Sequence, residues 1–286
     1  MDRIDLHTHS KHSDGTYAPR DLVALAAKEG LRALALTDHD TTSGVEEAIA
    51  AGDELGVEII TGSEVSTTYQ GRSVHVLAHG IQLDHPGLVT FLERIRAFRV
   101  ERNELMIERL TELGCPLTME EVSQHAEGRI VARPHFAQAM IDRGYVPDFR
   151  AAFTRYIRDG GPGHVVVERT PPAEAVEAIR AAGGMASIAH PKQIALENDE
   201  AWELFFGELA EAGLAGLEVD HPSQRADDRK YFAAIADRYG FVRTGGSDFH
   251  GSNKPRIKIG TGNGTVDIRY ETWTRLSERG TEPRGT

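Results

Sequence analysis

The sequence predicts an α/β barrel with a metal cluster at its mouth, and two observations predict it. Short apolar runs alternate with helical segments over residues 1–90 and again beyond about 160, the rhythm of parallel βαβ units. Most of these runs end in side chains that bind metals, in the strings IDLHTHSKHSDG, ALTDHD, TGSEVS, VHVLAHG, SIAHP and GGSDFHG. Barrels carry their chemistry at the C-terminal ends of their strands, so ligands gathered there imply one cluster.

RIDLHTH is the first strand. Pro19 to Glu29 reads as a helix, with Pro at its start and Gly30 just past its end. RALALTDHD is the second strand, and Thr42 is placed to cap the helix SGVEEAIAAGDELG. VEIITGSEVS and SVHVLAHGI are the third and fourth strands. The rhythm then breaks. Leu92, Ile95, Phe98, Leu105 and Leu113 fall near one helical face, and Thr118 and Glu121 have capping-box spacing ahead of another helix. Residues 88–160 are therefore read as a helical insertion lying over the mouth as a substrate lid. The barrel is read as 1–87 and 161–265, and 266–286 as a polar C-terminal tail.

The chain has 286 residues, one cysteine and a formal net charge of −12. A single thiol excludes an intrachain disulfide and any CxxC metal motif. The acidic balance argues against duplex nucleic acid and anionic membrane as partners. The first strand begins at once, leaving no room for a signal peptide, and no apolar stretch approaches the length of a membrane span. A cytoplasmic protein is expected.

Nine residues form the candidate metal set: His7, His9, Asp14, His39, Glu64, His75, His190, Asp248 and His250. Residues two apart on a strand share a face, so His7 with His9, and Asp248 with His250, make clamps at the two ends of the chain that barrel closure would join. Glu64 can bridge two ions. Imidazole and carboxylate without thiolate suit Mn²⁺, Fe²⁺ or Zn²⁺. Three divalent ions would bring about +6 against three carboxylates, leaving a site that attracts phosphate despite the acidic chain.

HTHSKHSDG, LTDHD, GSEVS, AHP and GSDFHG resemble the motifs of the PHP (polymerase and histidinol phosphatase) family of metal-dependent phosphoesterases. The resemblance covers about 1–90 and 160–255. It implies a distorted (β/α)7 barrel, the PHP fold, and a trinuclear site; two or three divalent ions are expected, with Mn²⁺ first among them on the His-rich, thiolate-free ligand set. It would give one ion to His7, His9, Glu64 and Asp248, a second to Glu64, His75 and His190, and a third to Asp14, His39 and His250. His79 competes with His75. The insertion with its ARPHFA segment resembles the stand-alone members that act on 3′,5′-nucleotide bisphosphates and whose relatives trim short RNA.

Around the metals, GRIVARPHFA offers Arg129, Arg133 and His135, where Arg can grip a phosphate and His can carry a proton. LEVDHPSQ offers Glu218, His221 and Ser223, and Lys192 follows His190. Arg133, His135 and His221 are the catalytic candidates. Arg129, Arg133, His135, Lys192, His221 and Ser223 are the candidate substrate contacts. Asp38 and Asp40 flank His39 and are expected to orient it. His12, His85, His125 and His164 read as surface or loop residues. Phe136, Tyr145 and Phe249 are candidates for stacking on a base.

The expected function is removal of the 3′-phosphate of a nucleotide bisphosphate by hydroxide that the metals supply. A phosphodiesterase or 5′-to-3′ exonuclease on short single-stranded RNA, histidinol-phosphate phosphatase, a C–N amidohydrolase and a non-catalytic module are the alternatives.

Overall fold

The computed structural model describes residues 2–126, 130–158, 160–165, 167 and 170–279. Its strands are β1 (Arg3–Thr8), β2 (Ala33–Leu36), β3 (Glu58–Tyr69), β4 (Arg72–His79), β5 (Met185–Ile188), β6 (Gly216–Asp220), β7 (Val242–Gly245) and the two-residue β8 (Ile268–Arg269). They form one sheet in the order β7-β6-β5-β4-β3-β2-β1-β8, curled into a nearly closed barrel. At the mouth, Asp248 N donates to His7 O at 2.9 Å and His9 N to Phe249 O at 3.0 Å, joining β1 to the segment after β7. Gly246 permits that approach, since a Cβ there would stand 2.3 Å from the His7 Cβ. At the other end, β8 closes antiparallel onto β1.

The alternation predicts the parallel pairs β1–β2, β2–β3, β5–β6 and β6–β7. It misses β4, which runs antiparallel to both neighbours. Only Gln70 and Gly71 separate β3 from β4, and both have positive φ, 49° and 72°. That is the two-residue hairpin loop whose twist matches paired strands, and it leaves no room for a crossover helix.

The outer helices are α1 (Pro19–Lys28), α2 (Val45–Leu55), α7 (Pro172–Ala181), α8 (Asp199–Ala212), α9 (Ala226–Tyr239) and α10 (Tyr270–Arg279). α2 is capped at Gly44 rather than Thr42, whose carbonyl instead accepts from Val45 N. Residues 266–279, read as polar tail, contain β8 and α10. Leu276 of α10 is fully buried with Met185, Ala215 and Val242, so the tail completes the barrel floor up to Arg279.

The insertion contains α3 (Pro86–Glu112), α4 (Met119–Ala126), α5 (Arg133–Asp142) and α6 (Phe149–Ala152), the last running into a π-helical turn over Phe153–Ile157. Thr118 and Glu121 cap α4 reciprocally. The segment has a core of its own, built from Met106, Leu110, Val122, Phe136, Met140 and Ile157. α3 links the two cores. Its buried stripe runs through Leu88, Leu92 and Ile95, then Arg99, Arg102 and Asn103, then Met106 and Leu110. The stripe turns polar in the middle, and Leu105, expected on the buried face, is exposed. Among the described residues, no helix is long and apolar enough to cross a membrane.

Candidate metal centre

All nine candidate ligands converge at the barrel mouth. His7 and His9 leave the end of β1, with Nε2 atoms 3.1 Å apart. Glu64 Oε2 lies 3.4 and 3.2 Å from those nitrogens, and Asp248 Oδ1 3.6 and 3.5 Å. Ligand atoms bound at about 2.1 Å to one cation, at tetrahedral or octahedral angles, would stand about 3.0–3.4 Å apart. The donors of His7, His9 and Glu64 thus fit a divalent ion, and Asp248 Oδ1 stands just beyond that spacing. His39 Nδ1 supports the same conclusion, because it is 3.1 Å from Glu64 Oε2 yet makes no hydrogen bond there.

Glu64 divides its oxygens. Oε2 faces His7, His9 and His39, while Oε1 takes His75 Nδ1 at 2.8 Å and His190 Nε2 at 2.9 Å. On the far side, Asp14 Oδ1 meets His250 Nε2 at 3.2 Å and His9 Nδ1 at 3.7 Å, and Asp14 Oδ2 meets His39 Nε2 at 3.8 Å. His9 and His39 therefore each turn one ring nitrogen to Asp14 and the other to Glu64. His79 is elsewhere. It shares a strand face with His75 but lies about 13 Å further along β4, where it is buried and donates to Leu6 O at 2.8 Å.

Burial should raise the carboxyl pKa values, yet the surrounding imidazoles hold Glu64 and Asp14 well below the usual range, and Lys254 with His250 does the same for Asp248. Burial should lower His7, but Glu218, Glu64 and Asp248 push it well up. The carboxylates stay ionised although buried because positive charge stands beside them, the part that a bound cation would play.

Glu218 is the strongest positioning residue that the motifs did not assign. Its Oε1 is 3.0 Å from His7 Nδ1, and its Oε2 accepts from His190 N at 2.6 Å. The signal was present, since an acidic residue inside an apolar strand demands a partner. The aspartates flanking His39 do a different job from the one expected. Asp38 accepts from Ser10 N, Ser10 Oγ and Ser13 Oγ and so pins the loop that carries Asp14. Asp40 accepts from Ser66 N at 2.6 Å and Arg99 Nε at 2.9 Å, tying α3 to β3. Asp40, His190 and Asp248 hold φ of 55°, 27° and 53°, left-handed values that cost non-glycine residues about 1–3 kcal/mol each.

A cavity of about 960 Å³ opens over the cluster. Its floor includes Asp14, His39, Glu64, His75, His190, Asp248 and His250, and its walls Arg99, Arg102, Arg133, Phe149, Arg150, Phe153, Arg158, His164, Lys254 and Arg256. A smaller cleft of about 330 Å³, lined by Gly71, Arg72 and Ala195 among others, meets it at Ser73, His75, Arg133, His164, His190 and Gln193.

Of the expected substrate contacts, Arg133 is on the wall of both clefts. His135 lines neither, and its Nδ1 accepts from Ala132 N at 2.9 Å, closing the start of α5. Lys192 is exposed and pairs with Asp228 at 2.7 Å. His221 is buried behind Asp248, between its Oδ2 and the Ser223 hydroxyl. Neither His221 nor Ser223 reaches the cavity. Arg129 lies outside the described residues. Phe136 is in the insertion core, the Tyr145 hydroxyl donates to Pro116 O, and Phe249 packs under α1 and α2. The aromatic side chains on the wall are Phe149 and Phe153. Motifs also missed His164, Arg102, Arg150, Arg158, Lys254 and Arg256.

Residues 5–168 match the family described as PHP domain. The chain is similar to the 3′,5′-nucleoside bisphosphate phosphatase of Chromobacterium violaceum, 35% identical over 280 residues that cover 98% of each chain. It is also similar to a 5′-3′ exoribonuclease of Haemophilus influenzae, 35% identical over 87% of this chain and 90% of that one. Among solved structures, a candidate metal-dependent phosphoesterase of Bifidobacterium adolescentis matches with a TM-score of 0.85 and 31% identity, covering 98% of this chain and 96% of that one.

Proposed function

The chain belongs to the PHP-domain family and is a metal-dependent phosphoesterase, and on that premise we propose that it removes the 3′-phosphate of 3′,5′-nucleotide bisphosphates. The observation that carries the proposal is the basic wall. A chain of net charge −12 gathers Arg102, Arg133, Arg150, Arg158, Lys254 and Arg256 around one cavity above its ligand cluster. One phosphate over the ions does not need so many cations, whereas a second, remote phosphate does. Phe149 and Phe153 add apolar ring surface to the same wall, suited to a base.

In this reading His7, His9, Glu64 and Asp248 hold one ion, Glu64, His75 and His190 a second, and Asp14, His39 and His250 a third, with Mn²⁺ the expected metal. Bound ions of this kind lower the pKa of water and screen phosphoryl oxygens. Glu218 keeps the His7 ring oriented, and Asp38 holds the loop of Asp14. Arg133 and its neighbours grip the remote phosphate, so that its binding energy serves the reacting one.

The smaller cleft supports a second reading. It reaches the cluster beside His75 and His190, where a substituent on the reacting phosphorus could leave the site. That favours short 5′-phosphorylated RNA as a diester substrate over histidinol phosphate. The test is phosphate or nucleotide release, with Mn²⁺ added, from adenosine 3′,5′-bisphosphate, 5′-phosphorylated RNA and histidinol phosphate. The bisphosphate should have the highest kcat/KM. Preference for histidinol phosphate would overturn the nucleotide reading.

A further inference from the structure

We propose that Lys254 is a catalytic residue that binds a non-bridging oxygen of the reacting phosphoryl group. The loop after β7 carries it to the edge of the cluster. Gly251–Asn253 form a tight helical turn, Ser252 N donates to Thr16 Oγ1 at 3.0 Å, and Asn253 Nδ2 donates to Asp14 O at 2.8 Å. The turn is thus anchored to the loop of a candidate ligand. From it, Lys254 Nζ reaches Asp248 Oδ2 at 2.5 Å.

The two oxygens of Asp248 have separate tasks. Oδ1 faces the ring nitrogens of His7, His9 and His250 at 3.6, 3.5 and 3.3 Å. Oδ2 takes Lys254 and, at 3.3 Å, His221 Nε2. The ammonium therefore sits one carboxylate away from the cluster. Its side chain is 40% exposed and forms part of the cavity wall, and an ammonium has three donors. Arg99, also on the wall, is committed to Asp40 and Ser66.

A fixed positive charge beside a site for divalent ions opposes their binding. A cluster built only to hold ions would not place one there. The charge becomes favourable when an anion spans cluster and wall, which is the position of a phosphoryl group under attack. During hydrolysis the water oxygen bonds to phosphorus and gives up a proton to solvent, while the P–O bond to the leaving group breaks and the departing oxygen takes up a proton from solvent. The electron pair of the broken bond stays on the departing oxygen. Lys254 remains protonated throughout and neutralises charge on the phosphoryl oxygens.

The inference rests on phosphoester hydrolysis, not on the nucleotide substrate, so the experiment includes a readout that needs no turnover. Lys254→Met and Lys254→Arg are loaded with Mn²⁺. Their metal content is measured by elemental analysis and their affinity for inorganic phosphate by calorimetry. Turnover is measured on adenosine 3′,5′-bisphosphate and p-nitrophenyl phosphate. The methionine variant should keep its metal, bind phosphate about tenfold more weakly and lose about 100-fold in kcat/KM on both substrates. The arginine variant should recover most phosphate binding. Unchanged phosphate affinity in the methionine variant overturns the proposal. So does loss of metal, which would make Lys254 a support for Asp248 alone. If the methionine variant does not fold, Lys254→Gln is read by the same measurements. Wild type that ignores the bisphosphate defeats the nucleotide reading and leaves the phosphate-affinity result to decide this one.

Discussion

The floor and the wall of the cavity are built by different rules. The floor is strand ends. His7, Glu64 and His75 lie within β1, β3 and β4, and the other six candidate ligands follow β1, β2, β5 and β7, so the barrel sets where each of them starts. The wall is mostly insertion, packed on its own core of Met106, Phe136, Met140 and neighbours. There the side chains that reach the cavity are those that this core leaves wholly or partly uncovered, Phe149 and Phe153 touching both. The floor, with Lys254 at its edge, should thus govern whether chemistry occurs, and the insertion side of the wall which molecule undergoes it.

The largest effect should come from breaking the floor. His9→Ala, Glu64→Ala and Asp248→Ala should each lower kcat by at least about 10³, a loss of roughly 4 kcal/mol in the transition state. Elemental analysis of the purified variants should show lost metal, most of all for Glu64→Ala, because both its oxygens are used. Circular dichroism should show the barrel intact. A fully active Glu64→Ala would mean that the convergence of ligands at the mouth is not the catalytic centre.

Deeper in the barrel, His79 offers a change of stability rather than of rate. Burial pushes its pKa down to about 4. The folded state therefore refuses a proton that the unfolded chain accepts between pH 6.5 and 4. Stability from neutral His79 is full above about 6.5 and is lost as pH falls toward 4. At pH 5 the loss is about 2 kcal/mol. Urea unfolding of wild type and His79→Gln, in the same metal state, would read it. The variant should lose about 2 kcal/mol less than wild type between pH 7 and pH 5. Equal losses would show that His79 titrates normally.

The contrast between floor and wall also explains what was legible in the sequence. The spacing of His7 with His9 and of Asp248 with His250 marks four of the nine converging residues, and the other five are legible as polar groups at the ends of apolar runs and in strings that resemble the family's motifs. The direction of β4 was hidden, because Gln70-Gly71 between two apolar runs was not read as a hairpin loop. ARPHFA was read as one clamp, but consecutive residues on a helix point about 100° apart. Arg133 at the start of α5 faces the cavity, while His135, two positions on, turns back to cap the helix. Arg99 and Arg102 on α3 escape a pattern of apolar residues alone, although the buried stripe continues through them. Lys254 and Arg256 belong to an irregular loop, which has no period to read.

The wall is sharpened by Arg133→Ala. It should reduce the preference for a 3′,5′-bisphosphate over the matching 3′-monophosphate by about 1–3 kcal/mol, the scale of a charge-assisted hydrogen bond. An aryl phosphate, with no second phosphate, should be affected much less. The check is kcat/KM for all three substrates. Equal losses would assign Arg133 to the reacting phosphoryl group or to the fold, and the division of labour between floor and wall would fail at this residue.

The smallest effect tests whether that division extends to folding. Thr118→Ala removes the hydroxyl that accepts from Glu121 N at 3.2 Å, at the start of α4. Loss of such a cap costs about 1 kcal/mol. The insertion core is separate from the barrel cores, and α3 joins them through a polar stretch rather than through apolar packing. The cost should therefore stay local. Hydrogen exchange should quicken in α4 and α5, while protection of β1 to β3, metal content and turnover of an aryl phosphate remain as in wild type. The KM for a bisphosphate should rise slightly, because its wall is less firmly held. If the barrel strands lost protection equally, insertion and barrel would unfold as one unit. The wall could not then be treated as a separately tunable part of the site.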